Sequence, residues 1–324
     1  MCTAASFLAK DFYFGRNLDL EYSYQETVTV TPRSYPFHFR NGQTLASHYA
    51  LIGIATISEG YPLYYEATNE AGLSLAGLSF PGNAVYHPEI PGKDNIASFE
   101  LIPWLLSQCA TVAQAMEKIR NINIWNVPFN EAFAPSALHW LLADRESAVT
   151  IEPMAEGIKV SANPVGILTN NPPFEFHMLN LAQYMNLTSQ PPENRFSHHV
   201  TLRPFSLGMG SIGLPGDMSS PSRFVKAAFT KLNSQCGDTE SARISQFFHI
   251  LSSIAQQRGL TCVGNREYEY TRYSCCCNTC KGIYYYTTYE NSQITAVDMY
   301  RENLNGTEII SYPLIVSQQI YHQN

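Results

Sequence analysis

The order in which hydrophobic periodicities change along the chain constrains its fold more than any other feature. Residues 28–31, 51–57 and 73–78 are rich in β-branched or alternating apolar residues and are punctuated by Gly, Pro and Asn, the pattern of antiparallel strands. A helical block follows, in which Phe99, Ile102, Leu105, Leu106, Cys109, Val112, Ala113, Met116 and Ile119 recur at spacings of three and four. Strand patterns return at 138–142, 148–152, 158–161 and 167–169, then helical ones at 176–185, 222–232 and 242–256, then strands at 270–276, 283–288 and 294–298. Runs of strands and runs of helices without a repeated strand–helix–strand unit predict an α+β layered sandwich, not a doubly wound parallel sheet. No internal repeat or linker-like stretch interrupts the chain, so one compact domain is expected over 2–324.

Composition narrows the function classes. With 20 Lys+Arg against 27 Asp+Glu the 324-residue chain carries a net charge of −7 and no basic run, which argues against DNA or RNA as a partner. Hydrophobic residues at 45% and charged residues at only 15% describe a core-rich protein. Its apolar runs, such as 101–106 and 165–168, stay far short of the roughly 18 to 20 residues that cross a bilayer. Near the start, the apolar AASFLA stops at Lys10 and Asp11, too short for a secretion leader, so the eight cysteines are expected as reduced thiols in the cytoplasm.

Several motifs carry no chemistry. The literal GxGxxG at 208–213 is followed by Leu214-Pro215-Gly216, which breaks the helix that a dinucleotide site requires. Cys275, Cys276, Cys277 and Cys280 hold one CxxC, but successive strand residues alternate faces, so buried thiols are the better reading than a zinc site. The nine histidines contain no HExxH, and the Asn186 and Asn305 glycosylation patterns read as surface turns.

Cys2 differs. Removal of Met1 would leave a residue bearing both a thiol and a free α-amine, a nucleophile with its own base, since such an amine titrates near ~7.7–8. Residues 2–8 and 12–15 both read as strand, which would fix position 2 in a sheet, and Arg16 and Asp19 follow at once. A guanidinium favours a neighbouring thiolate, and a carboxylate can orient the amine.

These residues resemble the start of the choloylglycine hydrolase family, the bile salt hydrolases and penicillin V acylases among the N-terminal nucleophile hydrolases. The resemblance rests on Met1-Cys2-Thr3 and Phe14-Gly-Arg-Asn-Leu-Asp19, and continues through residues 69–82, 138–140, 166–177, 213–224, 247–251 and 281–294. It implies a four-layer αββα sandwich whose N-terminal cysteine attacks an unstrained amide, with no metal or organic cofactor. It implies Cys2 as nucleophile and, through its amine, base; Arg16 and Asp19 as its activator and orienter; and Asn170 and Arg223 as the rest of the centre. Where bile salt hydrolases usually read AGLNFP, this chain has Ser79, which keeps the backbone donor of an oxyanion hole and exchanges an amide for a hydroxyl. The acyl pocket is expected among Leu18, Tyr22, Tyr24, Ile57, Tyr65, Phe129, Phe133 and Leu138.

The expected substrate is a small molecule, a glycine- or taurine-conjugated bile acid. Penicillin V or another N-acyl amide is the alternative on the same scaffold, and a non-catalytic binding protein the distant one. The resemblance further implies a homotetramer.

Overall fold

The computed structural model describes residues 1–324. The chain opens with β1 (Cys2–Leu8), β2 (Phe12–Leu20), β3 (Thr27–Thr31), the short β4 (Phe37–His38) and β5 (Thr44–Leu45), then β6 (Leu51–Ser58), β7 (Tyr61–Asn69), β8 (Ser74–Ser79) and β9 (Asp94–Ala97). Helices α1 (Leu101–Gln108) and α2 (Val112–Ile119) precede β10 (Ile122–Trp125), β11 (Leu138–Ala143), β12 (Ala148–Met154), β13 (Gly157–Ala162) and β14 (Ile167–Leu168). After α3 (Phe174–Leu181), α4 (Ser220–Asn233) and α5 (Glu240–Ser252), the chain closes through β15 (Thr261–Gly264), β16 (Glu267–Asn278), β17 (Ile283–Thr288), β18 (Thr295–Asp298) and β19 (Ile310–Pro313).

Two antiparallel sheets form the centre. The first runs β14-β1-β2-β16-β17-β18 with β15 beside β16, and the second runs β13-β12-β11-β8-β7-β6-β3-β19. Helices α4 and α5 pack on β1 of the first sheet with α3 against α4, while α1 and α2 cover the second sheet, giving the αββα sandwich. The first sheet is thus covered on both faces. That explains why β1 is buried from Cys2 to Phe7 and β2 from Phe12 to Asp19, with no polar alternation. Residues 16–19 belong to the strand itself, so the buried charges of Arg16 and Asp19 lie in the interior of β2.

The block expected as one helix around residues 99–119 is two. Cys109 turns extended and ends the first helix, and Thr111, extended in turn, accepts the Gln114 N–H on its hydroxyl and caps a new one. The 208–213 segment is a loop around a short 3₁₀ turn, with positive φ at Gly208 and Gly213 and no strand before it. Cys275, Cys276 and Cys277 lie buried in β16, whereas Cys262 and Cys280 are exposed. No helix is long and apolar enough to cross a membrane.

Candidate active site

Strand parity distributes the centre over both faces of the first sheet. Cys2 pairs with Leu18 and lies diagonal to Arg16, so these three share the face toward the second sheet. Asp19 and Thr3 take the opposite face, toward the helices, because an odd spacing separates them from Arg16 and Cys2. Asn170 follows the end of β14, and Arg223 stands one turn into α4, where it reaches Thr3. Cys2, Arg16, Asp19, Asn170 and Arg223 all come together and are all buried.

Arg223 and Asn170 clamp the nucleophile's backbone. The Arg223 guanidinium donates to the Cys2 carbonyl at 2.7 Å, the Thr3 hydroxyl at 2.6 Å, the Asn170 Oδ1 at 2.7 Å and the Met218 carbonyl at 3.0 Å. Burial pulls its pKa down, against the attraction of Asp19, Cys2 and Glu269. Asn170 Oδ1 also accepts the Cys2 N–H at 2.8 Å. This is the peptide N–H of Cys2, which becomes the α-amine once Met1 is removed. The Asp19 carboxylate is taken by the Thr271 hydroxyl at 2.6 Å and the Gln256 amide at 3.1 Å. The Met1 ammonium lies against the Glu269 carboxylate and 3.1 Å from the Asp19 carbonyl.

Arg16 opens the second sheet. The β7–β8 pairing begins at Thr68–Ser74 and stops at Glu66–Ala76; just beyond it, the Arg16 guanidinium donates to the Tyr65 carbonyl of β7 at 2.9 Å and the Gly77 carbonyl of β8 at 2.6 Å. Burial alone would drive its pKa down, but Cys2, Tyr273 and Glu66 outweigh it and hold the guanidinium charged, its pKa above the ordinary arginine value. Glu66, 3.7 Å from Arg16 Nε, is buried and accepts the hydroxyls of Tyr273 at 2.8 Å and Tyr284 at 2.5 Å. Burial raises its pKa, and Arg16 with the two hydroxyls opposes that rise. Nothing in the sequence signalled Glu66, because one acidic residue in an alternating strand looks like a solvent-facing position.

The same split frees a backbone donor. The Phe80 N–H bonds to the Ala137 carbonyl at 2.8 Å, so the adjacent Ser79–Leu138 pair is of the non-hydrogen-bonded kind. Ser79 therefore turns its own N–H and C=O away from β11, toward the gap that β7 has left. Its carbonyl is taken by the Asn170 side-chain amide at 2.8 Å. One of the two Asn170 amide hydrogens is thus left over, beside the Ser79 N–H.

A cavity of about 420 Å³ ends on Cys2 and Arg16. Leu18, Tyr24, Tyr65, Phe129, Phe133 and Leu138 line it as expected, together with Ser79 and the unanticipated Leu20, Thr56, Leu63, Phe99 and Ile102. Tyr22 and Ile57 do not line it. Tyr22 stands outside, its hydroxyl 2.7 Å from that of Tyr24, and Ile57 is an exposed residue of the β6–β7 hairpin. A larger hollow of about 570 Å³ lies among α2, β10 and β13, and contains none of the candidate catalytic residues.

Residues 2–312 match the linear amide C–N hydrolases, choloylglycine hydrolase family. The chain is 52% identical over 324 residues to the bile salt hydrolase/transferase of Lactiplantibacillus plantarum, covering 100% of both chains. To the conjugated bile acid hydrolase of Lactobacillus acidophilus it is 34% identical, over 96% of this chain and 100% of that one. Among solved structures it superposes on a cysteine-to-alanine mutant of the conjugated bile acid hydrolase from Clostridium perfringens with a TM-score of 0.93, at 36% identity and full coverage of both chains. The penicillin V acylase of Agrobacterium tumefaciens shares the fold, with a TM-score of 0.75 at 17% identity over 96% of this chain and 91% of that one. With a buried cysteine at position 2 facing the cavity and matches that span the whole chain, the protein belongs to the choloylglycine hydrolase family.

Proposed function

We propose that this chain is a bile salt hydrolase that cleaves the amide bond of glycine- or taurine-conjugated bile acids. The observation that carries the reading is Cys2 at the closed end of a cavity walled by Leu18, Leu20, Tyr24, Tyr65, Phe99, Phe129 and Phe133. Burying a rigid apolar acyl group there contributes roughly 25 cal/mol per Å² and leaves the polar amide at the charged end. The family relatives named for bile acids support the same acyl group.

In this mechanism Met1 is removed and the freed α-amine of Cys2, held by Asn170 Oδ1, accepts the thiol proton. The thiolate attacks the amide carbonyl, and the oxyanion is stabilised by the Ser79 N–H and the remaining Asn170 N–H. Collapse breaks the C–N bond, the ammonium delivers its proton to the departing glycine or taurine, and a thioester on Cys2 remains. Water deprotonated by the same amine hydrolyses it; an amine in place of water would yield acyl transfer. Arg16 and Arg223 fix the strand ends and hold positive charge about the sulfur.

The proposal extends to one catalytic unit over 2–324, working in the cytoplasm as a homotetramer. Its eight cysteines are all unpaired, as a reducing compartment permits. Exposures of 83% at Phe196, 86% at Phe205 and 95% at Leu207 supply an apolar segment suited to contact between copies. Light scattering coupled to size exclusion tests the assembly.

The test of function is release of free glycine or taurine from conjugated bile salts, beside penicillin V, by wild type and Cys2→Ala, on protein whose mass shows loss of Met1. Cys2-dependent release well above the penicillin rate supports the proposal. Faster cleavage of penicillin V would assign the aromatic wall to a phenoxyacetyl group instead.

A further inference from the structure

Two buried histidines stand behind the Asn170 loop and take no part in the mechanism. His139 of β11 and His177 of α3 are both at 0% exposure. His139 Nε2 lies 2.9 Å from the Thr169 carbonyl, and His177 Nε2 lies 2.8 Å from the Asn170 carbonyl. A carbonyl only accepts, so each Nε2 carries a hydrogen and donates it. The rings reach further. His139 stacks on Phe80 with centroids 4.1 Å apart and planes at 6°, and His177 stacks on Phe224 at 4.8 Å and 23°. Phe80 follows Ser79, and Phe224 follows Arg223.

We infer that His139 and His177 are positioning residues that hold two successive carbonyls of the Asn170 loop in register with Ser79 and Arg223, and so fix the oxyanion site. The loop has little other freedom. The Asn170 N–H donates to the Ser220 hydroxyl at 2.8 Å, and its side chain bridges Cys2, Arg223 and Ser79. His139 is itself anchored, with Nδ1 3.3 Å from Glu152 Oε1, the same oxygen that accepts the Phe174 N–H at 2.8 Å. His177 has no partner at Nδ1, and burial lowers its pKa, so it serves as a neutral donor. An imidazole meets both demands at each position, a flat face for the neighbouring ring and an N–H at its edge. A donor misplaced by even 1 Å can cost catalysis heavily, which is where these side chains act.

This inference rests on the amide hydrolase reading above. The experiment compares His139→Phe, His177→Phe, His139→Gln and His177→Gln with wild type in full-length, Met1-processed protein. It records kcat and KM for a glycine-conjugated bile salt, the iodoacetamide alkylation rate at Cys2 followed on its peptide, and the thermal midpoint. Phenylalanine keeps the ring and loses the donor; glutamine returns an N–H near the place of Nε2. The expected result is a fall in kcat of about tenfold or more for both phenylalanine substitutions, with KM and Cys2 alkylation within about twofold of wild type. Glutamine should restore kcat to within about threefold of wild type. Wild-type kcat in folded phenylalanine variants, a parallel fall of kcat and alkylation, or no rescue by glutamine would each overturn the inference. His177→Phe abandons the fewer polar contacts, and if all four variants failed to fold, the histidines would be assigned to folding and not to positioning. An inert wild type would instead contradict the hydrolase reading, so the two failures are distinguishable.

Discussion

The two ends of the cavity are built from different material. At the closed end, Cys2, Arg16 and Asp19 belong to central strands, Arg223 belongs to a helix, and each is at most 3% exposed and bonded to backbone or to buried side chains. At the open end, Phe129, Phe133, Ala134, Ser136 and Ala137 lie on the connection between β10 and β11, outside any strand or helix, where aromatic packing joins a few local hydrogen bonds such as Phe129 N–H to the Phe133 carbonyl at 3.0 Å and the Tyr86 hydroxyl to the Ser136 carbonyl at 2.6 Å. Phe129 packs edge-on against Phe99 at 5.3 Å and Phe133 at 6.3 Å, and Tyr24 lies 6.2 Å from Phe133. A sheet-borne centre fixes one reaction, while a connection of this kind can change its side chains without disturbing that centre.

Breaking the closed end should give the largest effect. Asn170→Ala removes the acceptor for the Cys2 nitrogen and for Arg223, the donor to Ser79 and one oxyanion donor together. The expected loss is about 10²- to 10³-fold in kcat with little change in KM, read by steady-state kinetics on folded protein.

The open end carries one buried titratable support. Glu100, which accepts the N–H groups of Arg40 at 2.7 Å and Ala97 at 3.0 Å, has its pKa pushed up by burial to about 7. Arg40 in turn donates to the Phe129 carbonyl and lies over the Phe99 and Phe129 rings. Because the folded state holds this proton more tightly than the unfolded one, the stability it contributes is greatest below the ordinary glutamate pKa and is lost as pH rises through about 7. Thermal midpoints should therefore fall by roughly 2–6 °C more between pH 5 and pH 7 in wild type than in Glu100→Gln. Equal slopes in the two proteins would contradict the assignment.

Smaller changes sharpen the contrast. Phe133→Ala, on the connection, should raise KM for the bile salt roughly five- to tenfold and leave kcat within about twofold. A matching fall in kcat would mean that the wall also positions the reacting amide. Ser79→Asn lies on the boundary between the two ends, where the backbone N–H is retained whichever side chain is present. Its kcat/KM should equal or exceed wild type by up to about threefold, and a large loss in a folded variant would show that the hydroxyl has its own role.

The layered α+β class and most elements were legible because each carries its own periodicity; residues 283–288 coincide with β17. The full length of β2 was not, since Arg16, Asn17 and Asp19 look like the end of a strand until both faces of the sheet are seen to be covered. Cys2, Arg16, Asp19, Ser79, Asn170 and Arg223 were reached through the chemistry of a thiol beside an amine and through family resemblance, and the structure brings them together. Their partners were hidden. Thr271 and Gln256 lie 252 and 237 residues from Asp19 and follow no spacing rule, so only the fold reveals what holds its carboxylate. Tyr22 and Ile57 were misplaced because neighbours of true lining residues in a strand or turn share their composition but not their direction.

The most direct test of the central claim is intact-protein mass spectrometry of the enzyme quenched during turnover of a conjugated bile salt, followed by peptide mapping. The account predicts a chain lacking Met1 that carries one acyl group, mapped to Cys2 and absent from Cys2→Ala. An adduct on another cysteine, or equal turnover by protein that retains Met1, would contradict it.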